Sequence, residues 1–265
     1  MKVHLYTILW NEEAMLPFFF RHYDSLVDRY IIYDDGSTDR TLEMLAAHGR
    51  VEVRKFVRTD PESFVLSAQS LQNDFWKESR GRADWVLVTS VDEHLYHPAG
   101  LGLYLRMMRW RGVTAVPALG HEMVTDAFPS PHAHLAKTYR LGVPSHWMDK
   151  LNIFNPDAIR ETHYEVGRHR AGPEGDVRYP ARDQVLLLHY KFLGFDYLIR
   201  RFAMLATGLG AVDRENKFGG QYHLQRPELE LRFSKLRAAA TGVSCTTAWK
   251  LKRDKWWRSA SADRS

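Results

Sequence analysis

Short apolar runs alternate with amphipathic stretches along the first 119 residues. Val3–Trp10 is apolar and stops at Asn11-Glu12-Glu13, which predicts a buried strand. From residue 11 to about 26, Leu16, Phe19, Phe20 and Tyr23 recur at spacings of three and four, a helical period. Asn11 is placed as an N-cap, and Pro17 requires the first turn to begin late. The same alternation predicts strands at Tyr30–Tyr33, Val51–Val57, Trp85–Ser90 and Val113–Leu119. Helices are expected over Arg40–His48, Ser63–Arg80 and Gly102–Arg111. This βαβ rhythm predicts an α/β fold: a mostly parallel sheet flanked by helices, whose ligands bind beyond the carboxyl ends of the strands. After Met123 the rhythm weakens. Residues 126–183 read as long loops with short strands such as Leu151–Phe154, and Val185–Leu188 is another strand. Helical pattern returns at Phe195–Leu209 and Pro227–Ala240, and the last residues from Ser259 read as disordered.

Three polar clusters stand where the strands end: Asn11-Glu12-Glu13, Asp34-Asp35 and Asp92-Glu93. Asp34-Asp35-Gly36-Ser37-Thr38-Asp39 has the residues of a tight turn with an N-cap, and equally those of a ribose- or base-binding loop. A dehalogenase-type phosphatase would need its nucleophilic aspartate where Tyr33 stands, so that chemistry is excluded. Asp92-Glu93 is either a solvated strand end or a hard-cation site, because Mg²⁺ and Mn²⁺ favour one or two carboxylates plus phosphate oxygens. His189, closing an apolar run, is either a structural histidine or a further Mn²⁺ ligand. Glu122, Asp126 and Asp149 are the acidic residues of the middle region that could reach the sheet edge as a general base. No glycine-rich dinucleotide fingerprint and no P-loop is present.

In combination and in order, these segments resemble a known family. Asn11-Glu12-Glu13, YDDGSTDRT at Tyr33–Thr41, VDEHLY at Val91–Tyr96, DKLNIFNP at Asp149–Pro156 and LLHYKF at Leu187–Phe192 resemble a GT-A fold glycosyltransferase of the family 2 type. The likeness is to the subgroup whose metal motif is written Asp-x-Asp-Glu-Phe, and it covers residues 1–205. It implies a GT-A, Rossmann-like catalytic domain over 1–205 and a helical extension over 206–265. It also implies transfer of a sugar from a nucleotide-diphosphate donor to an acceptor hydroxyl with inversion. Asn11, Glu13, Asp34 and Asp35 would line the nucleotide pocket, with Lys150 offsetting phosphate charge. Asp92 and His189 would hold Mn²⁺ or Mg²⁺, and Glu122, then Asp149, would be the base. Two positions depart from the motif: Ser90 replaces its first aspartate, and His94 its aromatic. Ser90 favours the alternative of a nucleotide-sugar- or glycan-binding protein without turnover.

Composition adds a boundary to this picture. Of the 265 residues, 37 are Lys or Arg and 32 Asp or Glu, a formal +5. Trp249–Arg258 (WKLKRDKWWR) holds five basic residues and one acidic, or +4, which leaves +1 for the other 255 residues. A protein-wide nucleic-acid surface is thereby excluded. That segment is either a helix packed by its tryptophans or a basic interfacial anchor to an anionic membrane or glycolipid; the acceptor implied by the resemblance is a glycan or glycolipid. One cysteine, Cys245, excludes a disulfide framework. The absence of a long apolar run and of a leader-like start points to a cytoplasmic protein, peripheral to a membrane at most.

Overall fold

The computed structural model describes residues 1–244 and 254–259. Its centre is a mixed sheet. β1 (Val3–Leu9), β2 (Arg29–Asp34), β3 (Val51–Lys55) and β4 (Trp85–Val88) form a wholly parallel half in the order β4-β1-β2-β3. β1 and β4 are buried almost throughout, as strands covered on both faces by crossover helices must be. β3 is the edge: Val53 is 40% exposed and Glu52, Arg54 and Lys55 deter further pairing. The helices of this half are α1 (Leu16–Tyr23), α2 (Thr41–Ala46) and α3 (Phe64–Gln72). α1 does begin late, with Pro17 in its first turn, and Asn11 lies well ahead of it.

The other half is mixed. β5 (Glu93–Tyr96) and α4 (Leu101–Trp110) lead to the 11-residue β6 (Ala115–Thr125). The short α5 (Leu135–Thr138) and β7 (Leu141–Pro144) follow, and β8 (Lys150–Phe154) inserts antiparallel between β4 and β6. β9 (Ile159–Glu161) and β10 (Glu174–Gly175) form a small separate ribbon. β11 (Leu186–Leu193) runs parallel to β6 and antiparallel to β5, with His189 opposite both Glu122 and Glu93.

Alternation along β1 feeds two cores. Val3, Leu5 and Leu9 pack with α1 and α4 on one face, while Tyr6 joins Phe75, Trp76 and Phe154 on the other. α6 (Phe195–Thr207), α7 (Ala211–Glu215) and α8 (Arg226–Ala239) complete the chain, with β12 (Thr241–Gly242) pairing β7. A third cluster joins Val124 of β6 and Phe192 of β11 to Leu198, Phe202 and Leu229. Residue 205 thus falls inside α6, whose helix is seated on the sheet.

The described part of the basic tail is also packed on the body. Trp257 is 1% exposed and donates its indole N–H to Asp183 at 2.9 Å; Lys255 and Arg258 pair with the same carboxylate. Trp256 donates to the Asp149 carbonyl oxygen at 3.1 Å. In this half of the expected anchor, Trp257 is therefore buried on the body while Trp256 stays partly exposed. Trp249–Arg253, Cys245 and residues 260–265 lie outside the described residues. No helix among the described residues is long and apolar enough to cross a membrane.

Candidate active site

The carboxyl ends of β1, β2 and β4 open into one cleft of about 890 Å³, which Glu122 of β6 and His189 of β11 also line. Two loops close the edge of the cleft at the ends of β1 and β2. Asn11 sits at φ +52, and its side-chain oxygen accepts from the Thr38 N–H at 2.7 Å and the Asp39 N–H at 3.3 Å. Glu13 accepts from the Arg40 N–H at 3.0 Å, and the Glu12 N–H donates to Thr41 at 2.7 Å. Asp34 accepts from the Gly36 and Ser37 N–H groups at 3.0 and 3.1 Å, around a glycine at φ +78. Asn11, Glu13 and Asp34, expected at the nucleotide, hold the loops to each other beside the cleft and are not among its lining residues. Asp35 does line it, and is tied to Arg58 at 2.6 Å.

The β4–β5 turn carries the second cluster. Glu93 lines the cleft from below, almost fully buried, and pairs with Lys150 at 2.7 Å and Arg168 at 2.8 Å. Burial pushes its carboxyl up, but the Arg168 and Lys150 charges outweigh that and hold it well below the usual range. Glu93 also accepts from the Ser90 N–H at 3.0 Å, and Arg168 donates to the Val88 carbonyl at 2.7 Å, so this network fixes the turn that presents Asp92. Lys150, expected to offset phosphate charge, lines the cleft, but its ammonium is 5% exposed and paired with Glu93. Asp149 is corrected too. It is 1% exposed, accepts from the Gly120 N–H at 2.8 Å and does not line the cleft, so it cannot meet an acceptor hydroxyl. His94 is fully buried and stacked on His22, on the side away from the cleft.

Asp92, His189 and Glu122 are brought together. His189 Nε2 lies 3.2 Å from Asp92 Oδ2 and Nδ1 lies 2.8 Å from Glu122 Oε2. Burial alone would lower the imidazole pKa; the Glu122 and Asp92 carboxylates reverse this and raise it to about 10. Burial likewise opposes ionisation of both acids, yet His189 holds each below its ordinary value. The result is an imidazolium between two carboxylates.

This arrangement does not fit the expected Mn²⁺ or Mg²⁺ site. Both ring nitrogens of His189 are engaged by carboxylates, so neither offers a lone pair, and Ser90 removes one hard ligand. Among the described residues, no group of three or more His, Cys, Asp or Glu is placed to hold a metal ion.

No family model matches the chain, and no curated protein matches it. Solved structures do show partial likeness. One is a mycobacterial protein at 21% identity and TM-score 0.30, covering 46% of this chain and 41% of that one. A 4-diphosphocytidyl-2C-methyl-D-erythritol synthase is 12% identical with TM-score 0.34, covering 60% and 77%. A mannose-1-phosphate geranyltransferase from Thermus thermophilus is 10% identical with TM-score 0.31, covering 96% and 72%. Likeness at this level is too slight to transfer an activity.

Two further residues belong to the site that strand-end reasoning passes over. Glu12 is 6% exposed and paired with Arg201 of α6, which also donates to the Asn11 carbonyl at 3.1 Å. Burial raises the Glu12 carboxyl to about 7, only partly offset by Arg201. The Asn11-Glu12-Glu13 cluster marks this position in the sequence, but only burial distinguishes Glu12 from its two neighbours. Arg201 had no readable signal, because only the docking of α6 brings it to the β1 end.

Proposed function

We propose that the chain transfers a sugar from a nucleotide-diphosphate donor to an acceptor hydroxyl. The carrying observation is the convergence of Asp92, His189 and Glu122 at three strand ends inside a cleft large enough for such a donor. The order of motifs, resembling family 2 glycosyltransferases, gives that convergence its chemical class. In the transfer, the acceptor oxygen forms a bond to the anomeric carbon while the bond from that carbon to the phosphate oxygen breaks. The electron pair leaves with the diphosphate, and attack from the opposite face inverts the centre.

Glu122 takes the acceptor proton. Its carboxylate is ionised at neutral pH, half-buried at the cleft wall and aimed by His189, which limits its base strength but fixes its position. His189 keeps Asp92 and Glu122 in place. Trp147 lines the same cleft and is 63% exposed, an apolar ring face suited to packing on an acceptor sugar, whether of a glycan or a glycolipid. A protein that only binds nucleotide sugars or glycans is the alternative, and Ser90 is the observation behind it.

Incubation with UDP-, GDP- and dTDP-sugars, with release of the nucleoside diphosphate as readout, tests the reading. Turnover that falls by roughly 10²-fold or more in Glu122→Gln supports it. Donor binding without release by the wild type selects the binding protein, and neither binding nor release with any donor overturns both.

A further inference from the structure

The five carboxylates lining the cleft are all matched inside the protein. Asp35 pairs with Arg58, Glu12 with Arg201, Glu93 with Lys150 and Arg168, and Asp92 and Glu122 share His189. Three cations lining the same cleft have no ion pair among the described residues: Lys191, Lys217 and Arg232. Two of them are held by rings. The Lys191 ammonium stands 5.0 Å from the centres of both Phe202 and Tyr222, and the Arg232 guanidinium 5.7 Å from that of Phe192. Lys217 sits in the turn before Tyr222, at φ +58. Lys191 is two residues beyond His189 on β11, so the cations adjoin the carboxylate end of the cleft. Lys191 also acts on Glu122, yet over all these partners the cleft holds more positive than negative charge, and such a cleft is set to receive an anion.

We propose that Lys191, Lys217 and Arg232 seat the diphosphate of the donor, meeting directly the charge that the misfitting metal site leaves unmet. The identity of the anion rests on the sugar-transfer reading; the cation seat itself does not. A departing nucleoside diphosphate carries about three negative charges, since a terminal phosphate has a second pKa near ~6, and the seat matches that number. Cations placed where charge grows as the sugar–phosphate bond breaks favour departure without proton movement. The seat lies on β11, on the 216–219 turn and on α8, so the C-terminal helices take part in donor binding.

Calorimetric titration of the full chain with inorganic pyrophosphate in EDTA tests the seat apart from the activity. The wild type is expected to bind, with affinity falling steeply as salt rises. Lys191→Gln and Arg232→Gln should each weaken binding roughly ten-fold. Arg106→Gln, on the exposed face of α4, should leave it unchanged. Absence of binding in EDTA, or equal weakening by Arg106→Gln, overturns the seat. Pyrophosphate binding that depends on Lys191 and Arg232, with no nucleotide sugar bound or turned over, upholds the seat and fails the sugar-transfer reading. Turnover that requires Mn²⁺ and is indifferent to Lys191→Gln and Arg232→Gln does the reverse.

Discussion

Two carboxylates on either side of one imidazole make a group whose worth depends on pH. The folded pKa of His189 is raised to about 10, above the ordinary 6.5, so the folded state holds this proton more tightly than the unfolded chain. Its stabilising contribution is therefore complete below about 6.5 and is lost as pH rises through about 10. The His189 ring protons should show no titration between pH 6 and 8 by NMR, and a midpoint near 6.5 would contradict the arrangement. His189→Gln leaves Asp92 and Glu122 without their shared cation, at a cost of about 3–5 kcal/mol in urea unfolding at neutral pH. Asp92, Glu122 and His189 were legible as separate strand-end residues. Their mutual contact was not, because it follows from β6 and β11 running parallel in one register, which no local pattern reveals. The partners of Lys150 and Asp149 were hidden for a related reason: residue type identifies a charge, but burial and pairing decide what it meets.

At the scale of elements, the helical period over Ser63–Arg80 is real but is cut at Gln72. Asn73 turns its side chain to other work, accepting from the Tyr164 N–H at 2.7 Å and from Thr162 at 2.9 Å, and the chain resumes as a 3₁₀ turn over Phe75–Ser79. A tertiary demand of this kind overrides local propensity. The start of α3 is likewise set from afar. Asp213 of α7 is fully buried, accepts from Ser63 Oγ at 2.5 Å and from the Phe64 N–H at 2.9 Å, and so caps α3 across 150 residues. Asp213→Ala removes charge-assisted bonds from buried donors and should cost about 2–3 kcal/mol. The check is a lower urea midpoint at unchanged slope; a midpoint within error of wild type would show α3 to be capped otherwise. The parallel half was readable from its alternation with helices. β5 and the antiparallel insertion of β8 were not, since a short apolar run carries no sign of its direction.

For the molecule as a whole, the charge concentrated at the tail serves the fold where it is described, since Asp183 gathers Lys255, Trp257 and Arg258. Trp257→Ala should cost about 3–5 kcal/mol in unfolding, as loss of a buried indole does; an unchanged stability would return that tryptophan to the surface. Acid exposes a different weakness. His22 and His94 stack at 4.5 Å with His134 edge-on to His22, behind the sheet face that carries the site. Burial lowers His22 to about 4 and holds His94 well below its ordinary value. Below about pH 6.5 the unfolded chain protonates these rings and the folded chain does not, so stability present above that pH drains away towards pH 4. Each ring adds a slope of about 1.4 kcal/mol per pH unit in that window. His94→Phe keeps an aromatic ring of similar size in a fully buried place and removes one titrating group. Thermal melts between pH 6.5 and 4.5 should then fall less steeply for His94→Phe than for the wild type. Parallel curves would mean that the rings are not what links this fold to acid, and that the depressed carboxylates of the cleft carry the loss instead.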